Sequence, residues 1–343
     1  MRRLLLALTL CCSIGCGKDP AGGGGGDDDQ MADAPMLSGD EYSLTWGPVS
    51  VPPGQENTQC IWMKLGNTSE IKVHQLHNVL NDASHHLIVY KDDMDTTEQL
   101  TPVNCQPFTG ALNTTGMIAP IAITQKKDDM IFLPDRVAYT FAPNQMVKIE
   151  MHYINSTDET QDVEASVHFY AADPSAIDHE AAILFTGSPD INLGPGESTL
   201  HQFFSVPSYL DLSESNIFAI TGHTHKLGTN VSVRVAPSKS GPMTDVYTPN
   251  PFKWDEPETK TFSTPFSIPT GGGLDFECTW NNTTSGNVGF GESANDEMCF
   301  FWAYYYPSQG SKVCFHTEQY GGANGLNLCC PGDSLCSVIE QNF

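Results

Sequence analysis

Basic side chains are scarce in this 343-residue chain. Sixteen lysines and arginines stand against 41 aspartates and glutamates, a formal net charge of −25. That balance argues against a nucleic-acid binder, because a phosphate backbone would be repelled, and it disfavours direct contact with an anionic bilayer. After the first sixteen residues no apolar run is long enough to span a membrane. Long segments of helical period are missing, as are convincing short repeats. No cysteine spacing matches a zinc ribbon or finger.

What is present starts with MRRLLLALTLCCSIGC: two arginines, an apolar run, then small residues. It reads as an export signal over residues 1–15. Ser13-Ile14-Gly15-Cys16 resembles a bacterial lipoprotein signal cut before a lipidated cysteine. Cys16 is then the expected lipid site and the only membrane link, in a cell-envelope lipoprotein; plain secretion is the alternative. Residues 16–39 include a Gly- and Asp-rich run, Gly22 to Asp29, too polar and flexible to pack. They read as a tether. The remainder is long enough for two ordinary domains. Asp173-Pro174 and polar neighbours follow a finished strand pattern, so the expected bodies are 40–172 and 173–343.

Eleven cysteines occur. Cys11 and Cys12 leave with the signal, and Cys16 would carry lipid. The others are Cys60, Cys105, Cys278, Cys299, Cys314, Cys329, Cys330 and Cys336. An even number in an exported chain favours disulfides. The last four crowd the C-terminus and read as a disulfide knot, with pairing left open.

The folded part reads as all-β. In residues 147–153, Val147, Ile149, Met151 and Tyr153 share one face, and Lys148, Glu150 and His152 the other. Residues 163–170 and 231–235 alternate likewise. Period-two alternation signals half-buried antiparallel strands, and frequent Pro and Gly turns between short strands suggest β-sandwiches.

Six residues carry the chemistry: His85, His86 and His152, then His223, His225 and Met298. Singly each has an ordinary reading. His152 sits on a polar strand face. Adjacent His85 and His86 point opposite ways on a regular strand, so both reach one metal only where the strand twists, bulges or begins. His223 and His225, at i and i+2, share a strand face and can converge on one ion. Gly222 and Gly228 flank them, allowing close backbone approach or a turn. Met298, before the apolar run Phe300–Tyr306, is usually core filler. Together they offer three imidazoles in one half, and two imidazoles with a thioether in the other. A thioether suits copper far better than zinc or magnesium. The order therefore points to two unlike copper sites, one in each half, in a redox enzyme outside the cytoplasm.

These pieces resemble the copper type II, ascorbate-dependent monooxygenases, the family of peptidylglycine α-hydroxylating monooxygenase and dopamine β-monooxygenase. The resemblance rests on His85-His86 before an apolar strand, Met151-His152-Tyr153, His223-Thr224-His225 with Leu227-Gly228, and Asp296-Glu297-Met298-Cys299 before an aromatic strand. It implies two antiparallel jelly-roll sandwiches and two coppers per chain. His85, His86 and His152 would hold an electron-supplying copper. His223, His225 and Met298 would hold the copper that meets dioxygen and substrate, with ascorbate or another one-electron reductant as co-substrate. It also implies a Cys278–Cys299 disulfide beside Met298. Cys60 resembles an early family cysteine whose usual partner is absent, so Cys105 is a guess.

Departures bear on the substrate. The peptide-hydroxylating branch has an arginine two residues before the His-x-His pair, where this chain has Thr221. Its tyrosine four residues after the methionine is Trp302 here, and Glu150 replaces a glutamine. Glu150, Thr221 and Trp302 are thus the candidate substrate-pocket residues, and a small organic substrate other than a peptidylglycine is expected. The remaining histidines (74, 77, 168, 179, 201 and 316) read as structural or solvated. The rival reading is a copper-binding lipoprotein that stores or delivers metal without oxidising anything.

Overall fold

Alternating sequence predicts strands. The computed structural model of the chain has 23 of them among its described residues, against one five-residue α-helix, Cys336–Glu340, and one 3-10 turn, Pro174–Ala176. The structure describes residues 37–108, 111–112, 115–321 and 325–340. The signal, Cys16 and the Gly-rich run lie outside these.

Residues 37–180 supply two sheets. One runs in the order Gln99–Asn104, Glu56–Lys64, Met146–Ile154, Ser84–Asp92, Ile118–Thr124, antiparallel throughout. The other pairs Leu37–Val51, Gln161–Ala172, Ile71–Leu80 and Val137–Phe141, with Asp128–Phe132 on a branch. Its last strand, His179–Glu180, comes from beyond Pro174 yet pairs with Val137–Phe141. Residues 182–330 supply a six-stranded sheet in the order Thr259–Phe266, Asn216–His223, Phe300–Tyr306, Ala182–Gly187, Lys312–Thr317, Leu326–Cys330. Gly196–Ser205, Gly273–Asn282, Gly228–Ala236 and Thr244–Tyr247 make a four-stranded sheet.

The strand Met146–Ile154 departs from the half-buried expectation. Val147, Ile149, Met151 and Tyr153 enter a core with Trp46, Val163 and Phe169 of the neighbouring sheet. Lys148, Glu150 and His152 are buried too. Tyr90 and Trp62 cover Lys148, whose Nζ lies 4.3 Å from the Tyr90 ring centroid. The second half closes over the rest of that face. Phe108 meets Phe185 at 4.7 Å between ring centroids, and the Ile123 amide donates to Tyr304 Oη at 3.2 Å.

Phe300–Tyr306 is the matching strand in the second half, apolar on both faces. Phe301, Ala303 and Tyr305 fill the core between the second half's own sheets. Phe300, Trp302 and Tyr304 join the first half's core. A continuous run of aromatics is what such a doubly covered strand requires.

The eight cysteines among the described residues all pair: Cys60–Cys105, Cys278–Cys299, Cys314–Cys329 and Cys330–Cys336. The first two agree with the guess and the family-implied pairing. The last two fasten the final strand and the terminal helix to the body.

Candidate copper site

Ser84 pairs with Tyr153 and His86 with His152, so two steps on one strand oppose a single step on the other. His85 is the extra residue of a β-bulge, which turns both neighbours toward one side. The ring centroids of His85, His86 and His152 lie 4.9–5.4 Å apart. One ring nitrogen from each falls within 4.8 Å of the other two.

His223 ends the strand Asn216–His223, and His225 stands in the turn that follows. The pair therefore converges through the turn rather than through a shared strand face. Their centroids are 5.2 Å apart with ring planes at 84°. A side chain at Gly222 would strike Val231 and Tyr247, and one at Gly228 would strike Thr224, so both glycines serve close approach. Met298 is buried and shares a cavity of about 20 Å³ with His86, His223, Phe108, Trp302 and Glu292.

The two histidine sets face each other directly. His85 and His225 have centroids 6.0 Å apart, and His86 and His223 6.3 Å. Beside them opens a cleft of about 540 Å³ lined by His85, Glu56, Gln125, Trp254, Lys226 and Asn295.

Four partners aim the rings. His152 Nε2 bonds Glu56 Oε1 at 3.0 Å, leaving Nδ1 free. His223 Nδ1 donates to Gln125 Oε1 at 2.8 Å. His225 Nδ1 donates to the Asp296 carbonyl at 3.1 Å, leaving Nε2 free. The turn carrying His225 is braced by Glu297, whose carboxylate accepts from the amides of His225 and Leu227 and from Trp280 Nε1 at 2.7–3.0 Å.

Burial, then the neighbouring imidazoles, holds His85, His86 and His223 well below the ordinary histidine range. Burial brings His225 down to about 4. These rings are neutral at pH 7, the state that ligates metal. The hydrogen bond from His152 lowers Glu56 to about 2. Burial, then the charge of Glu150, pushes Glu292 up to about 8, so it carries its proton at pH 7.

The donor set fits copper. His85 Nε2, His152 Nδ1 and His225 Nε2 are buried and make no hydrogen bond, a costly condition that a metal relieves. Residues 198–323 match the family model of the copper type II ascorbate-dependent monooxygenase C-terminal domain. The matched stretch holds His223, His225, Met298 and the Cys278–Cys299 disulfide, and it supports the resemblance carried by the ligand order.

Among solved structures, the cowpea mosaic virus top component matches at TM-score 0.32 and 9% identity, covering 82% of this chain and 95% of that one. An infectious bursal disease virus Gx strain structure matches at 0.19 and 10%, covering 80% and 74%. The CBM22-1–CBM22-2 tandem of Paenibacillus barcinonensis Xyn10C matches at 0.17 and 9%, covering 81% and 94%. Likenesses this slight bear on neither fold nor function.

Of the three residues expected at a substrate pocket, only Trp302 lines the small cavity beside Met298, its ring centroid 6.3 Å from that of His223. Glu150 is fully buried, ion-paired with Lys148 at 3.1 Å and bonded by Tyr90 Oη at 2.9 Å. Thr221 is buried, with Oγ1 2.8 Å from that of Thr259. Neither lines the small cavity or the cleft. Glu56, Gln125 and Glu292 escaped sequence reading, and Glu297 was read only as part of the motif around Met298, without its bracing role.

Proposed function

We propose that the protein is an exported copper-dependent monooxygenase hydroxylating a C–H bond of a small organic substrate. Dioxygen and ascorbate, or another one-electron donor, would be its co-substrates. The observation that carries this reading is the convergence of both histidine sets, with buried nitrogens left free, beside a cavity that Met298 lines. Two bodies, 40–172 and 173–343, each a jelly-roll sandwich, would contribute one ligand set apiece. Anchoring through Cys16 completes the reading.

His85, His86 and His152 would hold one copper, and His223, His225 and Met298 the other. Copper held there would supply one-electron chemistry toward dioxygen, with one oxygen atom entering the substrate and the other, with two electrons from the donor and two protons, leaving as water.

The chain's own residues govern access and orientation. A cavity of about 20 Å³ has room for one water- or dioxygen-sized molecule, and Phe108, Phe185 and Trp302 give it a largely apolar wall. A larger reactant or reductant would approach through the cleft beside His85 and Trp254. Glu292, protonated at neutral pH, leaves the void uncharged.

X-ray absorption on the reduced, copper-loaded protein tests this. Two coppers per chain are expected, with a Cu–S contribution that Met298→Ile removes along with hydroxylation, while copper at the first set stays. Full activity in that variant would end the ligand assignment. Copper binding without substrate-coupled oxygen uptake would point instead to a carrier.

A further inference from the structure

Glu56 begins the strand Glu56–Lys64, next in its sheet to the strand carrying His152. Its Oε1 accepts from His152 Nε2 at 3.0 Å and from the Ala294 amide at 2.8 Å. Its Oε2 accepts from Ser293 Oγ at 3.0 Å. Ser293 and Ala294 belong to the segment that carries the second ligand set. The Asp296 amide bonds the Ser293 carbonyl at 2.8 Å, the Asp296 carbonyl holds His225 Nδ1, and Met298 follows two residues on. One carboxylate therefore touches a ligand of the first set and the segment that positions two ligands of the second.

We propose that Glu56 is a positioning residue that sets the redox balance of the first copper and ties the first ligand set to the second; this rests on His152 being a ligand. With its Nε2–H held by a carboxylate, His152 presents Nδ1, which is buried and free for metal. A carboxylate partner also makes the imidazole a stronger donor. The negative charge favours the more positive oxidation state, so Glu56 stabilises Cu(II) over Cu(I). Nearby, Asp82 and Lys127 also line the cleft, but Glu56 is the carboxylate bonded to a candidate ligand there.

Glu56→Gln keeps the shape and an oxygen for the Ala294 amide but loses the charge. Losing such a partner typically weakens metal binding 10–100-fold. A tenfold weakening of Cu(II) alone would raise the one-electron potential by about 59 mV. The test is an anaerobic redox titration of copper-loaded wild-type and Glu56→Gln protein, followed by the Cu(II) EPR signal, alongside thermal unfolding of both. The expected result is a raised potential and changed EPR parameters for one copper, with melting nearly unaltered. Glu56→Ala, which also releases residues 293–294, should in addition reduce the Cu–S contribution from Met298. Unaltered potential and EPR in Glu56→Gln would overturn the inference while leaving the monooxygenase reading intact. Wild-type protein that binds no copper would overturn both.

Discussion

Gln125 shows how much of a candidate metal site lies in side chains that would bind no metal. It follows the strand Ile118–Thr124 of the first half and holds His223 of the second across a sequence separation of 98. Gln125→Leu should free His223 to rotate and weaken copper at the second set about 10–100-fold, read by competition with a Cu(I) chelator. Glu292 carries the opposite kind of strain. Its folded pKa of about 8 lies above the ordinary 4.5, so its contribution to stability is whole below pH 4.5 and lost as pH rises through 8. Glu292→Gln in metal-free protein should therefore be more stable than wild type at pH 9, by about 1–3 kcal/mol, with the gap closing toward pH 4.5. Denaturant titrations at both pH values check this. The six ligand candidates were legible because adjacent or alternating histidines, and a methionine before an aromatic strand, are uncommon in combination. Glu56, Gln125 and Glu292 carried no such signal. Each is an ordinary polar residue until folding brings its distant partner alongside.

Among the elements, alternation revealed the strands but not what covers them. VKIEMHY looks half-solvated, because a sequence shows which residues share a face and not whether a second layer lies above it. The polar face of Met146–Ile154 could be buried only because Lys148 and Glu150 neutralise each other and His152 has Glu56. Glu150 is thereby held by Lys148 and lines neither cavity. The bulge at His85 was anticipated as a condition, since neighbouring strand residues cannot otherwise meet one ion; its position needed the register. The Cys278–Cys299 bridge closes a separation of 21 residues and anchors the segment bearing Met298. Replacing both cysteines with alanine should cost about 3 kcal/mol in urea unfolding, by the loop-closure account. It should also broaden the Cu–S distance distribution.

For the whole molecule, the described residues form one compact unit, and one core runs through both halves. Trp302 belongs to the second half's sheet but packs with the first half's residues. Trp302→Ala should therefore lower a single thermal transition, by about 3–5 kcal/mol in stability, rather than split unfolding into two. Calorimetry showing two separated transitions would contradict it. Alternation foretold the class and the cysteine count the disulfides, but neither foretold this union, because an apolar strand reads the same whether its second face meets its own sheet or another's. Biogenesis inherits the consequence. While the chain is being made, the sheet face bearing Ile88, Phe108 and Ile123 waits for partners at residues 183–304. A chain halted before residue 298 would leave that face only partly covered, without Phe300, Trp302 and Tyr304, and would lack Met298. Such a product would offer quality-control proteases and chaperones a sticky half-sandwich. The last strands to emerge thus decide both whether the protein escapes destruction and whether the candidate ligand set is complete.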